Sequence, residues 1–333
     1  MDQLPKTGKP VDKVLQLLEL CKQRTHDPSL YNGLMGTCIA YFVLSKITSD
    51  KKYDKRAHQV LSDIQGLIPN VNDLGFADGL SGIGWGVEWL VQNGFIQANS
   101  DKVLEELDDT IYTSVVYAKT SSLSIANGSI GKAMYFLSRL TARNPSRSRY
   151  RMVCILECLV LLSDEISDRI LALVNHAELD KSLILTSNEL IEIAHCLTLM
   201  LLLNNKKINT VTSWNSVKVL IEFIENYIIT SCIDNKNNNK SNIACLNLVY
   251  SYLLAKEILK KDGFTNKSHI VNRYVENNKF SRKLILNIMI AELKSLNKVN
   301  SDEYRFLFLL DNLNSIDNTQ YCFESYFLHV ISD

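Results

Sequence analysis

The stretch GFADGLSGIGWGVEWL, residues 75–90, decides how this chain is read. Gly79, Gly82, Gly84 and Gly86 stand close together, directly ahead of an apolar run. An interior glycine costs a helix about 0.5–1 kcal/mol relative to alanine, so a helix that begins this way needs a reason outside its own propensity. Two other segments share the layout: YNGLMGTCIAYFVLSK (31–46) and ANGSIGKAMYFLSRLT (126–141). Each has Asn or Asp, then Gly-x-x-Gly, then a short apolar helix; the glycine pairs are Gly33 and Gly36, Gly79 and Gly82, Gly128 and Gly131. The leading glycines lie 46 and then 49 residues apart. That period holds two helices and two connections, so each repeat is one helical hairpin.

Asn32, Asp78 and Asn127 are read as the N-caps of these helices, their side-chain oxygens satisfying the first-turn amides. The glycines then let helix starts converge where side chains would collide. Only Gly263 follows Gly131 in the second half, so the repeat does not continue unchanged. Weaker copies are read at 186–201, 240–255 and 300–313, with Asn188, Asn242 and Asp302 as caps. Apolar residues recur at helical spacing in the intervening segments too, as in KRAHQVLSDIQGLI and NSVKVLIEFIENYIIT. The expectation is an all-α protein, an α/α ring of about six helical hairpins, forming one domain over residues 1–333.

Composition narrows the function classes. Thirty-six basic and thirty-six acidic residues cancel, so no net field recruits nucleic acid or an anionic membrane. The amino terminus lacks the basic-then-apolar layout of a secretory signal, and the apolar run CLTLMLLL (196–203) is too short to span a bilayer. A cytoplasmic protein without a membrane span is expected. No CxxC occurs among the eight cysteines; Cys154 and Cys158 share a helix face and, like Cys38, are read as structural thiols.

The segments LYNGLMGT, DGLSGI and IANGSIG, in this order and spacing, resemble the lanthionine synthetase C-like family over residues 30–141. The resemblance implies an α/α toroid whose inner helices point their N-termini at a central cavity. Enzymes of the family bind one zinc there and add a peptide cysteine thiolate to a dehydrated Ser or Thr. Zinc holds the thiolate as nucleophile through Cys and His ligands, and a general acid protonates the resulting enolate.

Transferred residue by residue, the family's chemical positions have changed. The family's first zinc ligand falls on Ser187, and its Cys-His pair falls on Ser241 and Asn242. Its histidine ahead of the third glycine motif falls on Asn127. Its aspartate ahead of the second motif falls on Gly75, with Asp73 and Asp78 nearby, so Asp78 and Asn127 are the residues left at acid/base positions. The Trp-Cys-x-Gly and Cys-His-Gly signatures are absent. The alternative is a zinc held by unusual ligands drawn from His195, Cys196, Cys245, Cys322 and His329.

Other constellations were weighed beside these. LDDT (107–110) faintly matches a terpene-cyclase acidic motif but is read as a helix-surface pair, with no second acidic motif to support it. Trp85, Trp89 and Tyr135 suit a ring-stacking surface or a core, the core being the commoner use. Glu88 is either a surface group or a lone cavity acid. The resulting expectation is a zinc-free accessory or peptide-binding protein of ribosomal peptide modification. Its partner would be a precursor peptide or a peptide-modifying enzyme, and it would need no cofactor. Two alternatives remain: an active zinc-dependent lanthionine cyclase, and an α/α-barrel enzyme acting on carbohydrate or isoprenoid substrates.

Overall fold

The computed structural model describes residues 26–31, 33–118, 120, 122–145, 147–179, 185–234 and 242–259. Among these residues every regular element is helical: α1 (Leu34–Thr48), α2 (Lys51–Leu67), α3 (Leu80–Gln92), the single turn α4 (Ser100–Val103), α5 (Glu105–Tyr117), α6 (Ser129–Thr141), α7 (Arg149–Leu179), α8 (Ser187–Asn205), α9 (Thr210–Asp234) and α10 (Asn242–Ile258). A short 3₁₀ turn, Ile68–Asn70, follows α2.

The helices sort into two layers. The glycine-motif helices α1, α3 and α6 pack side by side, and α8 and α10 extend the same row. Helices α2, α5, α7 and α9 back them, with α5 against α7 and α7 against α9. Inner-row membership is written into composition. In α3 the residues from Leu80 to Leu90 are all buried, and in α8 so are those from Ile193 to Leu203. A helix apolar on every side belongs where neighbours surround it. Outer helices keep a polar face: α2 buries only Tyr53, Ala57, Val60 and Ile64, one stripe at helical spacing. The expected fourth and fifth copies are therefore helices of the inner row, while the sixth, with Asp302, lies outside the described residues.

The caps differ from expectation. Helices α1, α3 and α6 are capped at Gly33, Gly79 and Gly128, the last two in place of Asp78 and Asn127, and without a side-chain cap bond; Asn32 lies outside the described residues. The preceding loop does that work with its backbone. Leu34, Leu80 and Ser129 donate their amides to the carbonyls of Asp27, Asp73 and Ser122, at 2.8, 2.9 and 3.1 Å. Each acceptor lies seven residues upstream, so the loop folds back over its own helix start. At α8 the cap is Thr186 rather than Asn188, with Thr186 and Glu189 forming a reciprocal capping box.

This return of the loop explains the glycines. A Cβ on Gly33 would stand 2.6 Å from the carbonyl oxygens of Asp27 and Ser29, and one on Gly128 would stand 2.5 Å from that of Ser124. Substituents on Gly82 and Gly131 would overlap the Phe76 and Ile125 carbonyls. The crowding comes first from the repeat's own loop. Neighbouring helices press only deeper in, where Gly84 faces Leu107 and Tyr135 and Gly86 faces Met35.

Candidate functional site at the loop collar

The three loops are strung together. Leu30 and Tyr31 both donate amides to the Ala77 carbonyl, and Phe76 and Ala77 both donate to that of Ala126, at 2.6–3.1 Å. The first two loops thus each hang on the next through one shared acceptor, and the N-termini of α1, α3 and α6 lie at a collar formed by the three. The loops begin alike: Asp27 accepts from Ser29 N at 2.9 Å, Asp73 from Gly75 N at 2.6 Å, and Ser122 Oγ from Ser124 N at 3.0 Å.

The collar brings together two positions that the sequence comparison linked. A Cβ on Gly75 would meet Asn127 Oδ1 at 2.6 Å and Asp73 Oδ1 at 2.9 Å. Gly75 and Asn127 are therefore adjacent, presenting a hydrogen and a carboxamide. An amide moves no proton at neutral pH, and the Asp73 carboxylate is tied to its own loop. Asp78 stands exposed on the rim. Partial burial, then the Asp27 and Asp73 charges, push its carboxyl above the ordinary range.

Beside the collar lies a polar wall that sequence reading missed. Lys132, in the first turns of α6, is 7% exposed and donates to Thr120 Oγ1 at 3.2 Å. Glu165 of α7 accepts from Ser129 Oγ at 2.7 Å and from Arg169 Nη1 at 3.3 Å. Arg169 also donates to the Thr120 carbonyl at 2.9 Å. Half-buried Glu192 of α8 has its carboxyl raised, chiefly by desolvation. The available signal was Lys132 itself, a charge inside the apolar run SIGKAMYFL.

The donor set for zinc does not assemble among the described residues. Ser187 is an exposed hydroxyl in the first turn of α8, a poor ligand for a metal that takes thiolate and imidazole. His195 and Cys196 lie about two turns further into α8 and are buried. Burial pushes the imidazole down to about 4 and the thiol well above its ordinary value. Among the described residues no group of three His, Cys, Asp or Glu side chains is placed to hold a metal. Ser241, Cys322 and His329 lie outside those residues, as do the side chains of Asn242 and Cys245.

The remaining candidates are core. Trp85, Trp89 and Tyr135 are buried, with the two tryptophans stacked 6.5 Å apart. Asp108 is not a surface residue: it accepts from Tyr135 Oη and Arg139, while Asp109 stays exposed. Glu88 is buried and paired with Arg139. Cys158 is buried and Cys154 half-buried, both as free thiols. No helix among the described residues is long and apolar enough to cross a membrane.

Comparison with known proteins agrees with this architecture. Residues 24–169 match the family described as Lanthionine synthetase C-like protein, a span that reaches from the first loop into α7. No curated protein sequence matches the chain significantly. Among solved structures, nisin cyclase superposes with a TM-score of 0.58 at 15% identity, covering 93% of this chain and 88% of that one. The expected all-α ring is thus the observed fold. Residues 24–169 are thus similar to the lanthionine synthetase C-like family, and the fold is an α/α toroid like that of nisin cyclase.

Proposed function

We propose that this protein binds a peptide at the loop collar, as a zinc-free accessory or pseudoenzyme of lanthipeptide-type modification. One observation carries the reading. The glycine-motif helices are kept, and a Cβ on Gly75 would meet Asp73 and Asn127 at the collar; in this reading the groups there bind hydrogen-bonding partners and transfer no protons. A collar of exposed Asp78 and Asn127 with a buried Lys132 offers acceptors and donors of the kind a peptide main chain uses. The partner in this reading is a precursor peptide, or the enzyme that carries it, in the cytoplasm.

The test is elemental analysis of protein purified without chelator or added metal, together with mass spectrometry of what co-purifies when a precursor peptide of lanthipeptide type is co-expressed. Less than one zinc per ten chains, with a precursor peptide retained, supports the reading. Stoichiometric zinc, lost on replacing Cys245 and Cys322 by Ala, replaces it with the cyclase reading. Stabilisation by a sugar or pyrophosphate and not by peptide replaces it with the α/α-barrel enzyme.

A further inference from the structure

The ammonium of Lys132 is set apart by its lack of a matching charge. Its side chain rises from α6 into the polar wall with only 7% of the residue exposed. It has three N–H donors, and among the described residues one is used, on the neutral Thr120 hydroxyl at 3.2 Å. No ion pair forms with it there. The two carboxylates that reach it electrostatically, Glu165 and Asp73, are engaged elsewhere: Glu165 with Ser129 and Arg169, Asp73 with the Gly75 amide.

A buried ammonium without a carboxylate partner is unfavourable, and among the described residues Lys132 has only the Thr120 hydroxyl. We infer that Lys132 is a carboxylate-binding site, and that the carboxylate belongs to the bound peptide, an assignment that rests on the peptide-binding reading above. The neighbouring acids argue against a free anion as the resident ligand. Such an ion would approach Glu165 and Asp73 with nothing to offer them. A peptide brings its own N–H groups for those acceptors and its carboxylate for Lys132. The carboxylate can be an Asp or Glu side chain or the peptide's C-terminus.

The test reads the lysine directly. In the full chain labelled with ¹⁵N-lysine, the Nζ signal of Lys132 is identified by its loss in Lys132→Met. Sodium acetate is titrated against sodium chloride at matched ionic strength. Three N-acetylated peptides follow: Gly-Ser-Glu-Ser-Gly amide, its Gln counterpart, and the Gln peptide with a free C-terminus. Acetate shifting the Nζ signal, with the Glu or the free-acid peptide binding about tenfold more tightly than the Gln amide, establishes the site and tells the two sources apart. An unmoved signal with three equal peptide affinities overturns the inference and leaves peptide binding standing. A signal moved by acetate while no peptide binds more tightly than acetate upholds the carboxylate site and removes the peptide reading.

Discussion

Arg139 and Glu88 form an ion pair closed to solvent from both sides, the guanidinium 0% and the carboxylate 2% exposed. The same guanidinium reaches Asp101 at 3.0 Å and Asp108 at 2.7 Å, so one side chain of α6 ties together α3, α4 and α5. Arg147 and Arg151 stand behind it, facing Asp101 and Asp108. Three buried acids thus face three arginines.

Removing the central cation leaves those acids uncompensated. Arg139→Met is expected to cost about 3–5 kcal/mol, read as a fall in the urea midpoint with an unchanged slope. Replacing Glu88 by Gln, which keeps a hydrogen-bond acceptor and leaves Arg139 two carboxylates, should cost less. Equal losses would mean that packing, not charge, governs this knot.

The glycines of the collar make a signed prediction. Gly82→Ala and Gly131→Ala drive a methyl into a loop carbonyl and should destabilise by about 1–3 kcal/mol. Gly66, near the end of α2, has nothing within 4 Å of the new methyl, so Gly66→Ala should stabilise by about 0.5–1 kcal/mol. Thermal unfolding of the three variants decides it.

Capping at α8 separates two registers. Thr186→Ala removes the hydroxyl that accepts from Glu189 N at 3.2 Å and should cost about 1 kcal/mol. Asn188→Ala should be neutral. The reverse order would restore Asn188 as the cap.

His195 sets an acid limit. Burial holds its folded pKa at about 4, below the ordinary 6.5, so between those values the unfolded chain binds a proton that the folded chain does not. Stability therefore falls as pH drops from 6.5 towards 4, and levels off once both states are protonated. His195→Gln is expected to remove that pH dependence, which amounts to about 3 kcal/mol across the window in urea titrations. A profile identical to the parent's would show that the ring is already protonated in the fold.

The glycine repeats are legible in sequence because crowding by the loop admits no other residue, and their spacing reports the hairpin length. The caps are not legible. Backbone carbonyls of Asp27, Asp73 and Ser122 satisfy the first turns, and a carbonyl has no residue identity to read. At the site, Asn127 and Gly75 keep matching places because the loop has seven residues from Asp73 to Gly79 and from Ser122 to Gly128. Lys132, Glu165 and Arg169 meet across α6 and α7, and Arg139 gathers partners from three helices. No spacing rule links residues brought together only by packing, so Glu88 and Asp108 read as surface or cavity groups until the helices are in place.

The paired amides at Ala77 and Ala126 bear on how such a ring can change over time. The middle loop is at once a donor to its successor, at Ala126, and an acceptor for its predecessor, at Ala77, so a duplicated hairpin of this kind arrives with both halves of its joint already present. Because the joint is made of main-chain atoms, side chains on the rim can be exchanged without loosening it. Asn127 and Gly75 stand on that rim while the joint beside them is closed by main-chain bonds alone. Chemistry at the collar is thereby separable from assembly of the ring.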